Sequence, residues 1–220
     1  MRELILFFIV NFFLLQSSDL PDGFVYLNDI DNTIVVDLKY YSQSNFTGRK
    51  VSGYHSNLVI LSKEASSALI EAQKDFIKLG YSLVIFDAYR PQVAVDFFYE
   101  WSKELNDTIN KNIYYPTVNK SQLFDLGYIA KKSGHSRGST IDVSLIDLTT
   151  NKQIDMGTIY DFFGIESSTF YPYISDLQKN NRMILYNVMS DNGFENYSKE
   201  WWHFTLENEP FQQYFNFLIR

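Results

Sequence analysis

The sequence predicts an α+β fold in which a largely antiparallel central sheet is flanked by helices. Segments with helical periodicity and segments with strand periodicity are interspersed along the chain, without the regular alternation of strand and helix that builds a parallel sheet. No linker, internal repeat or low-complexity stretch separates these segments. We therefore expect one domain, which extends from residue 19 to residue 220.

The first half of the chain contains two predicted strands and two predicted helices. Ile34–Tyr40 is rich in β-branched residues and Tyr81–Phe86 is a short apolar run, so we expect both to be strands. Between them, Ser62–Leu79 has apolar residues at helical spacing, begins at a serine that can cap it and ends before Gly80. Pro91 can open the second helix. The apolar stripe of that helix, which we expect in the core, consists of Ala94, Phe97, Phe98, Trp101 and Leu105.

The second half contains two further strands and one further helix. Apolar and polar residues alternate in Ser139–Leu145, which places Asp142 on the polar face of a strand. An acid on such a face is usually solvated, so this position alone does not indicate a ligand. Met183–Met189 has helical spacing and is expected to end near Gly193. Trp201–Leu206 is predicted to be a late strand.

The composition excludes several classes of protein. The chain has 220 residues, of which 45% are hydrophobic, enough to bury a core. Its net charge of −7 makes nucleic acid an unsuitable partner, because affinity for a phosphate backbone comes from Lys and Arg. Cysteine is absent, which excludes disulfides, thiolate metal sites and cysteine nucleophiles. With only three histidines, a metal site must combine imidazoles with carboxylates.

The N-terminal residues predict an export signal. Arg2 supplies a positive charge, the run Leu4–Leu15 is apolar except at Asn11, and small polar residues follow. A helix of that run would be about 18 Å long, short of the ~30 Å hydrocarbon core, so no stable membrane anchor is expected. We predict a signal peptide over residues 1–18 and an exported, periplasmic protein that begins at Asp19. The alternative is a buried N-terminal strand or helix in a cytoplasmic protein.

Three polar segments carry the candidate chemistry. They are Ser133–Asp142, Glu200–His203 and Phe86–Pro91, and two of the three histidines lie in the first two. Two imidazoles and one carboxylate can hold zinc with a fourth position left open to water. The candidate ligands are His135, Asp142 and His203, and Glu200 could reach the water without binding the metal.

Another metal chemistry uses the same ligand types. Two His and one carboxylate also form the facial triad of non-haem iron oxygenases. Those triads usually follow a His-x-Asp pattern, whereas six residues separate His135 from Asp142 and a second acid lies near the last histidine. Both features favour hydrolytic zinc chemistry. Residues three apart on a strand point to opposite faces, so Glu200 must precede the strand that carries His203 or lie at a bulge.

The order of these motifs resembles that of a known enzyme family, the D-alanyl-D-alanine dipeptidases of the vancomycin-resistance type. The family is related to the zinc D,D-carboxypeptidases and endolysins. The resemblance extends over nearly everything after the leader. The segments that carry it are Asp37–Tyr40, Asn45–Gly48, Asp87–Pro91, Tyr114–Pro116, Ser133–Asp142, Met156–Thr158 with Asp161, Glu200–His203 and Glu209–Pro210.

The resemblance implies a set of site residues. One zinc ion would be held by His135, Asp142 and His203. Glu200 would be the catalytic base, and Arg90 would stabilise the oxyanion of the tetrahedral intermediate. The reaction implied is hydrolysis of the dipeptide D-Ala-D-Ala to free D-alanine.

The resemblance also implies how the two ends of the dipeptide are held. Asp161 and Tyr40 match positions that bind the ammonium end, and Ser133 lies where the carboxylate end is expected. Gly134 departs from the family pattern, in which a serine commonly precedes the first ligand. Two alternatives remain open at this point: a zinc carboxypeptidase or endopeptidase that acts on peptidoglycan peptides, and a metal-binding module that has lost catalysis.

Overall fold

A six-stranded, mostly antiparallel sheet lies at the centre of the computed structural model, which describes residues 20–220. The predicted fold class is therefore confirmed. The strands are β1 (Phe24–Tyr26), β2 (Val35–Val36), β3 (Ile60–Ser62), β4 (Tyr81–Asp87), β5 (Thr140–Asp147), β6 (Lys152–Gln153), β7 (Phe194–Asn196) and β8 (His203–Leu206). The helices are α1 (Lys63–Lys78), α2 (Gln92–Lys103), α3 (Lys111–Tyr114) and α4 (Asp176–Asp191).

The order of strands in the main sheet is β2-β4-β5-β8-β7, and β6 pairs with one end of β5. Only β2 and β4 are parallel; the other neighbours are antiparallel. Strands β1 and β3 form a separate two-stranded sheet. Helix α1 packs against β4 and α4, and α4 also packs against β7. Because α1 and α4 contact each other, they lie on the same face of the main sheet.

Strand β5 is the centre of this arrangement. Its predicted alternation is present, but both faces are buried: Ile141 and Val143 on one side, and Thr140 and Asp142 on the other. A strand with neighbours on both sides and layers on both faces has no solvated face. The general tendency of an acid on the polar face of a strand to be solvated therefore does not apply to Asp142, and the carboxylate must find its partners inside the protein.

Three predicted elements agree closely with the structure. Helix α1 is capped by Ser62, whose side chain accepts from the Ala65 amide, and Gly80 takes a φ of +87° directly after it. Strand β4 extends one residue beyond the predicted Phe86. Helix α2 begins after Pro91, and its stripe is buried or half-buried up to Trp101. Leu105 is the exception, because it lies beyond the end of the helix and is exposed.

Two predicted elements were wrong in extent because long-range contacts set their bounds. The strand expected over Ile34–Tyr40 is reduced to β2, and the chain then forms a 3₁₀ turn at Lys39–Tyr41 that buries the Tyr40 side chain. The strand expected at Trp201 begins at His203, after a turn that buries both tryptophans.

Helix α4 begins seven residues before the predicted Met183. Ser175 and Gln178 form a capping box there, in which each side chain bonds the other residue's backbone. The first turns of α4 are polar and largely exposed, so they lack the apolar spacing by which a helix is recognised from sequence.

The predicted signal peptide over residues 1–18 lies outside the described residues. Within residues 20–220, no helix has the length and apolar character needed to cross a membrane.

Candidate metal and catalytic site

The three predicted metal ligands meet at one point. Each of His135, Asp142 and His203 offers a ligand atom, and these atoms all lie within 4.8 Å of one another. His135 comes from a 3₁₀ turn, Gly134–Arg137, that precedes β5. The other two lie on the neighbouring strands β5 and β8. They come from parts of the chain that are 61 residues apart, and the antiparallel register pairs Asp142 directly with His203.

The local sequence explains how the 3₁₀ turn is formed. Ser133 caps it, because its hydroxyl accepts a hydrogen bond from the backbone N–H of His135 (3.3 Å). Gly138 ends it with a φ of +87°, and a Cβ at this position would lie 2.2 Å from the Phe24 ring. Only glycine meets both conditions. The turn therefore delivers the His135 side chain inward just before β5 begins.

The donor atoms have the properties of metal ligands. Nδ1 of His135 lies 2.7 Å from the Ala88 carbonyl oxygen, which can only accept, so Nδ1 carries the proton and Nε2 presents a lone pair. Among the described residues, Nε2 of His135 and Oδ1 of Asp142 are buried with no hydrogen-bond partner. Unsatisfied buried groups are rare, and here they point at a common centre. The set of two imidazoles and one carboxylate fits zinc.

Asp142 is anionic in this setting. Burial alone would raise its pKa, but the adjacent imidazoles of His135 and His203 hold the pKa of the Asp142 carboxyl well below its usual range. Nδ1 of His203 is 3.0 Å from Oδ1 of Asp142, and Nε2 of His135 is 3.3 Å from Oδ2. A buried carboxylate at the junction of two imidazoles attracts a cation.

Glu200 lies beside this cluster without belonging to it. It precedes β8 in a turn, which agrees with the requirement that it must lie before the strand. Its Oε2 is 3.6 Å from Nδ1 of His203. Burial raises the pKa of Glu200, and the nearby Asp142 charge raises it further. Trp201, which follows in the same turn, is fixed by its indole N–H, which donates to Thr158 (2.8 Å).

Arg90 is held at the site by a residue that sequence reasoning missed. Both Nε and Nη2 of Arg90 lie 2.8 Å from Oδ2 of Asp87, which is fully buried at the end of β4. Tyr54 donates to the other oxygen of Asp87 (2.5 Å). Nη2 of Arg90 is 3.7 Å from Oδ2 of Asp142. Asp87 was visible in the Asp87–Pro91 motif, but only the register of β4 with β5 shows that it faces Asp142.

Asp161 and Tyr40 form a second polar pair in the site. The Tyr40 hydroxyl donates to Oδ2 of Asp161 (2.8 Å), and both side chains are buried. Asp161 has a φ of +60°, a left-handed conformation that non-glycine residues rarely adopt. Burial raises the pKa of Asp161 well above its usual range, and the charge of Asp142 adds to this. A buried carboxyl in a strained loop, with one hydroxyl partner, is suited to binding a cationic group.

The loop that carries Asp161 is anchored by a buried arginine, which sequence reasoning also missed. Arg182 of α4 donates to the carbonyls of Met156 (2.7 Å), Ser168 (2.6 Å) and Glu166 (3.0 Å). These acceptors belong to both ends of the loop over residues 156–168, so the guanidinium fixes the loop from within. The polar sequence around Arg182 gave no signal of this role.

All eight predicted site residues line one cavity of about 290 Å³. They are Tyr40, Arg90, Ser133, His135, Asp142, Asp161, Glu200 and His203. The predicted site is therefore brought together in space, although the elements that supply it extend from residue 40 to residue 203. Phe46, Phe98, Phe163 and Trp202 provide apolar walls.

The departure at Gly134 has a structural counterpart. A Cβ at this position would lie 2.7 Å from the Thr140 hydroxyl oxygen, closer than real Cβ contacts. Thr140 is fully buried and its hydroxyl is hydrogen-bonded to that of Thr205 (2.9 Å). Thr140 therefore occupies the space that a serine side chain at position 134 would need.

Comparisons with known proteins show which family the chain is similar to. The family model of peptidase M15, described as D-ala-D-ala dipeptidase, matches residues 21–219. A D-alanyl-D-alanine dipeptidase of Enterococcus faecalis is 39% identical over 201 residues, which cover 91% of this chain and 100% of the relative. A D-alanyl-D-alanine dipeptidase of Streptomyces coelicolor is 39% identical over 197 residues, which cover 89% of this chain and 98% of the relative. A D-alanyl-D-alanine dipeptidase of Escherichia coli is 30% identical over 191 residues, which cover 87% of this chain and 86% of the relative.

Replacing Asp87 with Asn should destabilise the fold. The substitution keeps the shape but removes the fully buried charge that faces the half-buried Arg90, so we expect the free energy of unfolding to fall by about 2–4 kcal/mol. Urea unfolding would measure it. Glu71→Gln is the matched control: it removes the charge that faces Lys74 in an exposed pair and should change stability by less than about 0.5 kcal/mol. Equal effects in the two variants would contradict an anchoring role for Asp87.

Proposed function

The chain belongs to the D-Ala-D-Ala dipeptidase family, peptidase M15, and we propose that this metallopeptidase hydrolyses the dipeptide D-Ala-D-Ala to two molecules of D-alanine. One observation carries the proposal. Three ligand side chains, a half-buried glutamate, a half-buried arginine and a second, buried carboxyl group converge on one small cavity. The intact glutamate and arginine favour catalysis over a module that only binds metal.

His135, Asp142 and His203 would hold one zinc ion. Zinc supplies Lewis-acid chemistry: it polarises a carbonyl oxygen and lowers the pKa of a bound water toward about 7. The protein contributes a donor set that is already assembled, with the tautomer of His135 fixed by the Ala88 carbonyl. Few groups then have to be ordered when the ion binds.

Glu200 is proposed to be the general base. It lies beside His203 but outside the ligand cluster, so its carboxylate is free to take a proton from the attacking water and to pass it to the leaving amine. Arg90, fixed by Asp87, presents its guanidinium at the edge of the same cavity. There it can donate hydrogen bonds to the oxyanion that develops on the scissile carbonyl.

The ends of the cavity suit the two ends of a free dipeptide. Asp161 and Tyr40 are proposed to bind the ammonium group, because Asp161 supplies a buried carboxyl with one hydroxyl partner. Ser133 and the adjacent backbone are proposed to bind the carboxylate. A cavity of about 290 Å³ is at the small end of ligand sites. This size favours a dipeptide over the longer peptides that a carboxypeptidase or endopeptidase would take.

Export of the mature chain is part of the same proposal. The family match begins at residue 21, just after the predicted signal peptide over residues 1–18. If the leader is cleaved there, N-terminal sequencing of the protein recovered from the cell envelope should give Asp19 as the first residue. Recovery of the intact chain from the cytoplasm would contradict export.

The direct test of the proposed function is release of D-alanine from D-Ala-D-Ala by the purified protein. Activity should disappear with a chelator and return with zinc. N-acetyl-D-Ala-D-Ala should be cleaved with a kcat/KM lower by about a hundredfold or more, since a buried Asp161 left without its cationic partner costs about 3–5 kcal/mol. Equal cleavage of the two compounds would favour the carboxypeptidase alternative, and cleavage of neither would contradict the proposal.

Variants should separate metal binding from catalysis. Glu200→Ala should retain zinc and lose nearly all turnover, by about a hundred- to ten-thousandfold. Arg90→Ala should retain zinc and lose about a hundred- to thousandfold in kcat. His135→Ala and His203→Ala should lose the metal itself, as elemental analysis would show.

The exposed Glu207, which follows β8, provides the matched control, and Glu207→Ala should behave like the parent. Loss of zinc from Glu200→Ala would identify Glu200 as a ligand instead of a base. Normal turnover of Arg90→Ala would remove Arg90 from the reaction.

A further inference from the structure

A tyrosine that no motif singled out contacts the central carboxylate of the site. The hydroxyl of Tyr160 donates to Oδ2 of Asp142 (2.9 Å). Among residues 20–220 this is the one hydrogen bond of good geometry that the side-chain carboxylate of Asp142 accepts, because its other oxygen, Oδ1, has no such partner. Tyr160 is 5% exposed and does not line the cavity. It therefore approaches Asp142 from the protein interior and not from the space that a substrate would fill.

The position of the Tyr160 hydroxyl is fixed by the packing of its ring. The ring lies against Phe86 of β4, with centroids 4.9 Å apart. It meets Trp202 edge-on, with centroids 5.4 Å apart and an interplanar angle of 72°. Both neighbours are themselves buried. The packing of the Tyr160 ring against two buried rings thus holds its hydroxyl on one oxygen of Asp142 and leaves it little freedom to turn elsewhere.

We infer that Tyr160 is a positioning residue for the metal: its hydroxyl anchors Oδ2 of Asp142 and leaves Oδ1, which faces His203, free to bind the ion. This inference rests on the proposed function, in which Asp142 is a zinc ligand. A ligating carboxylate that is hydrogen-bonded through one oxygen is restricted in rotation, so less order has to be imposed when the ion binds. Such partners typically change metal affinity by about 10–100-fold when they are removed.

A second tyrosine lies on the far side of Tyr160 and has a different role. The hydroxyl oxygens of Tyr160 and Tyr40 are 3.0 Å apart, and Tyr40 also contacts Asp161. The two hydroxyl groups have two protons to donate and make three contacts. The contacts to Asp142 and Asp161 have carboxyl oxygens as acceptors, and the third is between the two hydroxyls. Tyr160 faces the metal end and Tyr40 faces the ammonium end. Removing each hydroxyl in turn should therefore affect different steps.

The test compares three Tyr→Phe variants in the full protein. Zinc affinity is measured by competition with a chromophoric chelator in the absence of substrate, and kinetic constants with D-Ala-D-Ala are measured separately. Tyr160→Phe should bind zinc about 10–100-fold more weakly than the parent. Tyr40→Phe should raise KM and leave zinc affinity within about threefold of the parent value, because Tyr40 does not touch Asp142.

Tyr89→Phe is the control for loss of a buried hydroxyl. Tyr89 is as buried as Tyr40, and its hydroxyl donates to the Phe217 carbonyl (3.0 Å), a contact with no part in the site. It should lower stability slightly and leave zinc affinity unchanged. Thermal unfolding of the metal-free variants checks that Tyr160→Phe is folded.

The outcomes separate the inference from the proposed function. Parent-like zinc affinity in Tyr160→Phe would overturn the positioning role while leaving the dipeptidase proposal in place. A similar loss in Tyr89→Phe would also overturn it, since the effect would then be a general one of stability. A parent protein that binds no zinc would overturn both.

Discussion

The structure depends on one buried negative charge. The carboxylate of Asp142 lies at the centre of the sheet and is 2% exposed, where an uncompensated anion would cost several kcal/mol. The nearby carboxyl of Asp161 is also buried and that of Glu200 is half-buried, while Asp87 is matched by Arg90. The Arg90 guanidinium and two neutral imidazoles do not balance the charge of these carboxylates. A divalent cation would offset most of the remaining charge, and the unpartnered atoms of His135 and Asp142 lie where it would bind.

The rest of the fold can be understood as the support of that charge. The register of β5 with β8 places Asp142 opposite His203, and the register of β4 with β5 places Asp87 on the other side. The Arg182 guanidinium fixes the loop of Asp161 by three carbonyl contacts. These supports come from elements on every side of the site. A preassembled site of this kind gives catalysis through fixed dipoles and charges, because little has to move when the substrate binds.

Sequence analysis was most successful where local pattern and chemistry coincide. The bounds of α1 follow from a capping serine and a terminal glycine, and the ligands follow from the chemistry of two scarce histidines and an acid. It was less successful where contacts between distant parts of the chain determine the bounds of an element or the role of a residue. The polar start of α4 has no apolar spacing. Asp87 and Tyr160 matter because of the side chains that they contact, Arg90 and Asp142, and neither sequence spacing nor residue type shows these contacts. Strand position alone did not identify Asp142 as a ligand, because the side chains that surround it come from other parts of the chain.

The central claim is that His135, Asp142 and His203 share one zinc ion. X-ray absorption spectroscopy at the zinc edge of the purified, zinc-loaded protein tests it most directly. The account predicts a shell of nitrogen and oxygen atoms at about 2.0–2.1 Å with the multiple-scattering pattern of two imidazoles. His203→Ala should remove that signal. A shell without imidazole, or one that is the same in the parent and in His203→Ala, would contradict the account.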